Sequence, residues 1–270
     1  MIAYRAADAL ALAIDAARQA GTLLLELQRS PATGVRSKSS ATDLVSEADE
    51  KAERAIVAAI RRERRDDAIV AEEGSGAQGS SGVSWYVDPL DGTINYLFGI
   101  PQWSVSICCA DGSGPLAAVV FDPLRDELFS AARGSGARLG DRALHVTDKR
   151  DLASALVATG FGYDAAQRVT QGRIVANIVA EVRDIRRFGS AALDLSWVAA
   201  GRYDAYFESV DKPWDWMGGA MLVREAGGRV TELTPSDPAF PRIIASGPGV
   251  HDALTRLLAS AVHKAQNSID

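Results

Sequence analysis

The stretch WYVDPLDGTINY, residues 85–96, combines two carboxylates, a glycine and a threonine at the end of an apolar run. The run predicts a buried strand that stops at Asp88, and Asp91 follows three residues later, beyond a proline turn. Two carboxylates and a free carbonyl at a strand end are hard oxygen ligands of the kind that Mg2+ prefers. Gly92 and Thr93 can open a helix whose exposed amides suit a phosphate. The stretch therefore indicates metal-assisted phosphoryl chemistry, unless Asp88 merely ends a strand and Asp91 caps a helix.

Further acidic residues stand at the ends of predicted elements elsewhere in the chain. Glu72 and Glu73 end a strand, and Asp215 begins an apolar helix within the sequence PWDW. Asp43 and Asp49 lie in a polar segment. Taken singly, each group has a structural explanation: a surface turn for the Glu72-Glu73 pair, a helix N-cap for Asp215, and a solvated loop for Asp43 and Asp49. As a set, acidic strand and helix ends in one chain favour a shared site at an edge of a sheet.

Several other catalytic patterns are excluded. Residues 74–79 match the glycine spacing of a dinucleotide fingerprint, but the next strand follows directly and no helix does. No glycine-rich loop ends in Gly-Lys-Ser or Gly-Lys-Thr, which excludes a P-loop. His145, His251 and His263 are too scattered for a two-histidine zinc helix, and each is predicted to lie at the surface. An aspartyl-phosphate phosphatase requires aspartates two apart after a strand, and a cysteine phosphatase an arginine six positions beyond the cysteine; neither pattern occurs.

The net charge of −6 argues against a general binder of nucleic acid or anionic membranes. An acidic protein with an anionic substrate needs local cations, which bound metals would supply. No window reaches the ~18 uninterrupted apolar residues of a membrane span, and the charged N-terminal helix does not fit a signal peptide. Cys108 and Cys109 are adjacent in an apolar run, which predicts reduced core thiols and a cytoplasmic protein.

Hydrophobic periodicity predicts the elements that must position these residues. In the first half we expect helices at 3–29 and 46–63, and strands at 68–72, 85–88, 104–110, 115–122, 127–132 and 137–139, in an antiparallel or mixed meander. In the second half we expect strands at 155–159, 184–186, 204–208, 228–232 and 243–246, alternating with helices at 165–178, 191–200, 215–226 and 250–262. The charge run at 61–67 is predicted to be a solvated helix end. The fold class is α+β or α/β, with halves 1–148 and 149–270 in one continuous unit.

On these residues the chain resembles the inositol monophosphatase family of Mg2+-dependent, lithium-sensitive phosphatases. One motif is DPLDGT at 88–93 followed by Asn95, and the other is Trp214-Asp215 ahead of a helix ending in EAGG at 225–228. The family's remaining landmarks appear in the family's order: Lys38, Asp43 and Asp49, then Glu72-Glu73, and later Gly189-Ser190-Ala191 ahead of a helix. The resemblance implies a layered α/β/α/β/α sandwich of the inositol monophosphatase/fructose-1,6-bisphosphatase type.

The resemblance also implies roles for individual residues. The implied metal ligands are Glu72, Asp88 and the Leu90 carbonyl for one Mg2+, and Asp88, Asp91 and Asp215 for a second. A third, weaker Mg2+ near Glu72 is implied, with Lys38 and Asp43 in the adjoining loop. The implied catalytic residues are Asp49, Glu72 and Thr93, with Thr93 hydrogen-bonded to Asp49 and orienting the attacking water. The implied substrate contacts are Gly92, Thr93, Gly189, Ser190, Ala191, Glu208, Asp91 and Asp215.

The implied activity is hydrolysis of a polyol phosphate, with inositol 1-phosphate as the first expectation, by a homodimer that binds neither nucleic acid nor membranes. Histidinol phosphate and fructose 1,6-bisphosphate stay open as substrates because relatives cleave them with nearly the same metal core. A regulatory or RNA-associated role is the alternative from a different class. Its support in the sequence is limited to the arginine clusters at 61–65 and 183–187.

Overall fold

The computed structural model describes residues 4–29, 36–37, 44–45 and 47–267. Lys38 and Asp43, which the resemblance assigns to a third metal, lie outside the described residues. So does Ser46, the predicted first residue of the second helix. Within the described ranges, no helix combines the length and apolar composition needed to cross a lipid bilayer.

Two N-terminal helices cover one face of the first sheet. They are α1 (Ala6–Gln28) and α2 (Glu47–Glu63). The buried face of α1 consists mostly of alanines, which let its backbone approach the sheet closely. A Cβ built on Gly21 would lie only 2.6 Å from the Phe121 ring. Helix α1 therefore rests directly on the sheet.

The first large sheet has seven strands that follow chain order. They are β3 (Ala68–Ala71), β4 (Ser84–Asp91), β5 (Ser104–Asp111), β6 (Gly114–Asp122), β7 (Glu127–Ala132), β8 (Ala137–Leu139) and β9 (Arg142–Ala143), and a separate short pair comprises β1 (Arg36–Ser37) and β2 (Leu44–Val45). Strands β3 and β4 run parallel and the later neighbours antiparallel, so the predicted mixed meander is confirmed. Strands β5 and β6 are buried on both faces, which explains their continuous apolar sequences.

The second sheet has the order β11-β10-β12-β14-β13. Its strands are β10 (Leu156–Thr159), β11 (Asp184–Arg186), β12 (Ala205–Glu208), β13 (Arg229–Glu232) and β14 (Ile243–Ser246). The remaining helices are α3 (Thr93–Leu97), α4 (Ala165–Ile178), α5 (Ala191–Ala199), α6 (Pro213–Glu225) and α7 (Pro248–Asn267). Helices α5 and α6 fill the space between the two sheets, and α4 and α7 cover the outer face of the second sheet. The five layers confirm the expected α/β/α/β/α sandwich, while the division of the chain near residue 148 stays a prediction.

Three local expectations were wrong. The strand does not end at a turn before Pro89, because β4 continues to Asp91 with an irregular register opposite Ser106 and Ser104. Such an irregularity accommodates a proline, which has no N–H to donate. The predicted solvated run at 61–67 contains a buried residue, Asp67, whose carboxylate accepts hydrogen bonds from Arg64, Ser81 and Trp85.

His251 is also buried, although it was predicted to lie at the surface. Its ring nitrogens lie 2.8 Å from Ser246 Oγ and 2.8 Å from Thr231 Oγ1. Burial lowers the pKa of His251, because the charged imidazolium would lose its hydration. His251 lies on the inward face of α7, where the hydroxyl groups of Ser246 and Thr231 take the place of water as its hydrogen-bond partners. Cys108 and Cys109 are buried free thiols, as predicted.

Candidate active site

The proposed metal ligands lie together because of how three elements meet. Strands β3 and β4 are parallel neighbours, so Glu72 and the end of β4 lie at the same edge of the sheet. The Glu72 amide donates to the Val87 carbonyl at 3.2 Å. Helix α6 crosses the same edge, where Ser106 Oγ donates to the Trp214 carbonyl at 3.2 Å and brings Asp215 to the strand ends.

These residues line one cleft of about 440 Å3. Its walls include most of the residues implied by the sequence resemblance: Glu72, Asp88, Leu90, Asp91, Gly92, Thr93, Gly189, Ala191, Glu208 and Asp215. The capping alternatives do not hold for the two key aspartates. Gly92 occupies the N-cap position of α3, and Lys212 that of α6. Asp215 lies instead in the first turn of α6, and Asp91 is the last residue of β4.

Burial, together with neighbouring negative charges, raises the pKa values of three aspartates of the cleft, Asp88, Asp91 and Asp215. Burial is the largest cause for Asp88, followed by the charges of Glu72, Asp91 and Asp215. Burial also raises the pKa of Asp91 to about 7, against two hydrogen bonds that lower it. The pKa of Asp215 is raised by burial first and then by the charges of Glu72 and Asp91. The site therefore holds several carboxylates in a setting that disfavours their negative charge.

A hard divalent cation fits this set of donors. In the part of the chain that the structure describes, Asp88, Asp91 and Asp215 form no ion pair with arginine or lysine. Carboxylate and carbonyl oxygens suit Mg2+, and nitrogen or sulfur ligands are not needed for it. Among the described residues, no three His, Cys, Asp or Glu side chains are already drawn together tightly enough to enclose an ion.

Thr93 connects the cleft to a buried acid behind its wall. Its Oγ1 lies 3.0 Å from Asp49 Oδ1 and 3.1 Å from the Leu90 carbonyl oxygen. Asp49 is fully buried in the first turn of α2. The contact between Thr93 and Asp49 that the resemblance implies is therefore present. Next to it, Gly92 has a φ of 98°, a conformation that favours glycine and turns the chain from β4 into α3. A Cβ there would lie 2.9 Å from the Gln102 carbonyl oxygen.

Asp91 joins the two halves of the chain. Its Oδ2 accepts hydrogen bonds from Ser190 Oγ at 2.6 Å and from the Ala192 amide at 2.7 Å. Ser190 is the N-cap residue of α5, and it is buried. Its hydroxyl thus donates to Asp91, and the substrate contact that the resemblance implies for Ser190 stays a prediction. The neighbouring backbone of Gly189 and Ala191 does line the cleft.

Glu208 is the last residue of β12, and it lines the same cleft as Gly92 and Thr93. Tyr206 donates its hydroxyl to Glu208 Oε2 at 2.8 Å. The carboxylate also packs on the bare Cα of Gly160, where a Cβ would lie 2.1 Å from it. Burial raises the pKa of Glu208, while Tyr206 and the Arg187 charge lower it. Glu208 is therefore held in one position, with its carboxylate available to the cleft.

Two residues near the cleft were missed in the sequence. Arg187 lines its mouth, but the sequence placed it only in an arginine cluster. Asp194 is buried on α5 without a hydrogen-bond partner for either carboxylate oxygen in the described structure. Burial is the largest cause of its raised pKa. Asp194 stands four residues after the N-cap Ser190, a spacing that could have indicated the inward face.

The profile of the inositol monophosphatase family matches residues 6–267. The protein from Xylella fastidiosa called Nus factor SuhB is 44% identical over 236 residues, which cover 87% of this chain and 85% of that protein. The inositol-1-monophosphatase of Mycobacterium bovis is 43% identical, over 83% of this chain and 81% of that protein. The crystal structure of the extragenic suppressor protein SuhB from Bartonella henselae superposes with a TM-score of 0.86 at 38% identity, covering 93% of this chain and 98% of that one.

Proposed function

The chain belongs to the inositol monophosphatase family, and from that premise we propose that it is a Mg2+-dependent phosphomonoesterase acting on a polyol phosphate. Inositol 1-phosphate is the first substrate to test. One observation carries the proposal: acidic residues from β3, β4 and α6 and the amides that begin α3 line a single cleft. Phosphoester hydrolysis needs these two features side by side, a cation site and a phosphate cradle.

In this proposal, Glu72, Asp88 and the Leu90 carbonyl hold one Mg2+, and Asp88, Asp91 and Asp215 hold a second. Bound Mg2+ would supply the positive charge that offsets these carboxylates and stabilises negative charge on the attacking and leaving oxygens. The count of two or three ions, the third near Glu72, is part of the proposal, and so is inhibition by lithium.

The chain's own residues would position the reactants. The amides of Gly92 and Thr93 bind phosphate oxygens, since both residues line the cleft where α3 begins. Thr93 Oγ1 accepts a hydrogen bond from the attacking water and is oriented by Asp49 Oδ1, 3.0 Å away. Glu72, at the end of β3, contacts the same water. Among the described residues that line the cleft there is no histidine, so the proton passes to a carboxylate or to solvent.

The leaving group would lie between α5 and β12. The backbone of Gly189 and Ala191 approaches one side of the polyol, and the Glu208 carboxylate accepts hydrogen bonds from its hydroxyls. Tyr206 and Gly160 support this assignment, because they hold the carboxylate in place at the cleft. The same geometry suits other polyol phosphates, so fructose 1,6-bisphosphate and histidinol phosphate remain candidates.

A steady-state panel tests the proposed activity. We would measure kcat/KM with Mg2+ for inositol 1-phosphate, histidinol phosphate, fructose 1,6-bisphosphate and a nucleoside 3'-phosphate. We expect Mg2+-dependent release of phosphate, with inositol 1-phosphate favoured over the nucleotide and histidinol phosphate. Absence of Mg2+-dependent release from every ester would contradict the proposal.

Glu208→Ala should change which esters are cleaved. Charge-assisted hydrogen bonds to ring hydroxyls are lost, so kcat/KM for inositol 1-phosphate should fall by about 10- to 100-fold. p-Nitrophenyl phosphate offers no ring hydroxyls and should lose far less. The ratio of the two values of kcat/KM is the measurement.

Gly160→Ala provides the matched comparison, because a Cβ there displaces the Glu208 carboxylate without removing its charge. We expect the same direction of change in the ratio. Equal losses on both esters in Glu208→Ala would show that this side chain supports the site and does not select the substrate.

A regulatory or RNA-associated role is a second candidate, favoured by the relatives named Nus factor SuhB. Those names leave the expectation of no nucleic-acid partner without support. Each arginine cluster contains one member in an ion pair, Arg64 with Asp67 and Arg186 with Asp184. A variant with Asp91→Asn separates the two functions: a partner-binding role would persist when phosphatase activity is lost. Homodimer formation and a cytoplasmic location remain proposals, the first testable by sedimentation of the purified protein.

A further inference from the structure

Arg187 is an unusual cation for its surroundings. The cleft that it lines is otherwise acidic. The other basic residue of its described walls is Lys212, whose Nζ lies 3.6 Å from Asp211 Oδ2 in an ion pair. Within the described residues, Arg187 forms no ion pair and no hydrogen bond. Some other arginines of the described chain are paired, for example Arg133 with Asp111 and Arg186, the immediate neighbour of Arg187, with Asp184. An unpaired guanidinium at the mouth of an acidic cleft has unused donors.

The guanidinium is held at the leaving-group side. A Cβ built on Gly189 would lie 2.5 Å from Arg187 Nη1, so the side chain lies against the Gly189 backbone. Its central carbon is 5.9 Å from the centre of the Phe161 ring, another residue of the cleft. Glu208 is close enough to feel its charge, yet no ion pair joins them. Arg187 thus stands where the part of the substrate remote from the scissile phosphate would lie.

We propose that Arg187 binds a second anionic group on the leaving group, so that the cleft prefers polyol phosphates carrying such a group over their neutral counterparts. The inference rests on the proposed phosphatase function and names a substrate class for it. A guanidinium presents paired N–H donors that match the oxygens of a phosphate or a carboxylate. The acidic residues deeper in the cleft would be offset by Mg2+, which leaves Arg187 as the group that reads the second anion.

Two pairs of esters test the proposal with the full-length protein. Fructose 1,6-bisphosphate and fructose 1-phosphate differ by a second phosphate, and 2-phosphoglycerate and glycerol 2-phosphate differ by a carboxylate. We expect kcat/KM to favour the anionic member of at least one pair by about 10- to 100-fold. The pair that shows the preference identifies the anion as phosphate or carboxylate. The preference should shrink as ionic strength rises.

Arg187→Ala should abolish the preference and Arg187→Lys should retain part of it, since lysine keeps the charge but not the paired donors. Arg186→Ala is the matched control, because its neighbouring guanidinium is paired with Asp184 and does not line the cleft. It should leave the ratio within each pair as in the wild type. A wild-type enzyme that shows no preference in either pair, or an Arg187→Ala variant that keeps it, would overturn the inference. Wild-type hydrolysis of inositol 1-phosphate in the same assays shows separately whether the phosphatase function holds.

Discussion

Asp91→Asn is expected to lower kcat/KM for a polyol phosphate by about 100-fold or more without unfolding the protein. An asparagine oxygen can still accept the hydrogen bonds that Ser190 and the Ala192 amide give to Asp91. The contact between β4 and α5 is therefore kept, and what is lost is one negative charge in the cation site. Steady-state kinetics over a range of Mg2+ concentrations measures the effect. Near-normal turnover at saturating Mg2+ would contradict the metal-ligand assignment.

Asp67→Asn is the matched control for this variant. Asp67 is also a buried aspartate at the edge of the first sheet, but its partners are Arg64, Ser81 and Trp85, away from the cleft. Removing its charge leaves Arg64 without its partner, so thermal stability should fall while kcat/KM changes little. The two variants together separate loss of a catalytic charge from loss of a buried carboxylate in general.

Chelation of divalent cations is expected to abolish turnover and to destabilise the protein in a pH-dependent way. The raised pKa of Asp91, about 7, exceeds its unfolded value of 3.8, so the folded metal-free protein binds more protons between these values. Its stability should therefore fall as pH rises through this window. Asp88 and Asp215, whose pKa values are also raised, add to the same trend.

Mg2+ should reverse that trend, because it binds the ionised carboxylates. At 100 times its Kd, a ligand that binds only the folded state adds about 2.7 kcal/mol to the free energy of unfolding. We expect the rise in Tm on adding Mg2+ to be clearly larger at pH 8 than at pH 5. Thermal unfolding with EDTA or Mg2+ at both pH values measures it. Equal rises at the two pH values, or full turnover in EDTA, would count against a carboxylate-bound cation.

Asp91→Asn links the two experiments. In EDTA at pH 8 this variant should be more stable than the wild type, because it lacks one of the repelling buried charges. In Mg2+ the order should reverse, since the variant binds the cation less well. A variant that is less stable under both conditions would indicate that Asp91 acts through packing alone.

The sequence by itself determined the elements and the short motifs, because both depend on neighbouring residues. Strand β7 (Glu127–Ala132) and helix α4 (Ala165–Ile178) have the predicted bounds. The first residue of α4 is set locally, because the Asp164 side chain caps the helix N-terminus by accepting a hydrogen bond from the Gln167 amide. The acidic residues at strand ends were likewise predicted from the sequence, and the parallel pairing of β3 with β4, which the structure shows, places two of these ends at one edge.

Only the tertiary structure decided which partner each polar group finds. The Ser190 hydroxyl donates to Asp91, which lies 99 residues earlier in the chain, a contact that no local pattern indicates. Asp67 is buried because Trp85 and Arg64 satisfy it, and His251 because two hydroxyl groups do. Arg187 looked like one arginine of a surface cluster, yet its guanidinium lies against Gly189 in the cleft. Periodicity indicates which face of an element is buried, but the free energy of a buried charge or donor depends on groups that distant segments bring to it.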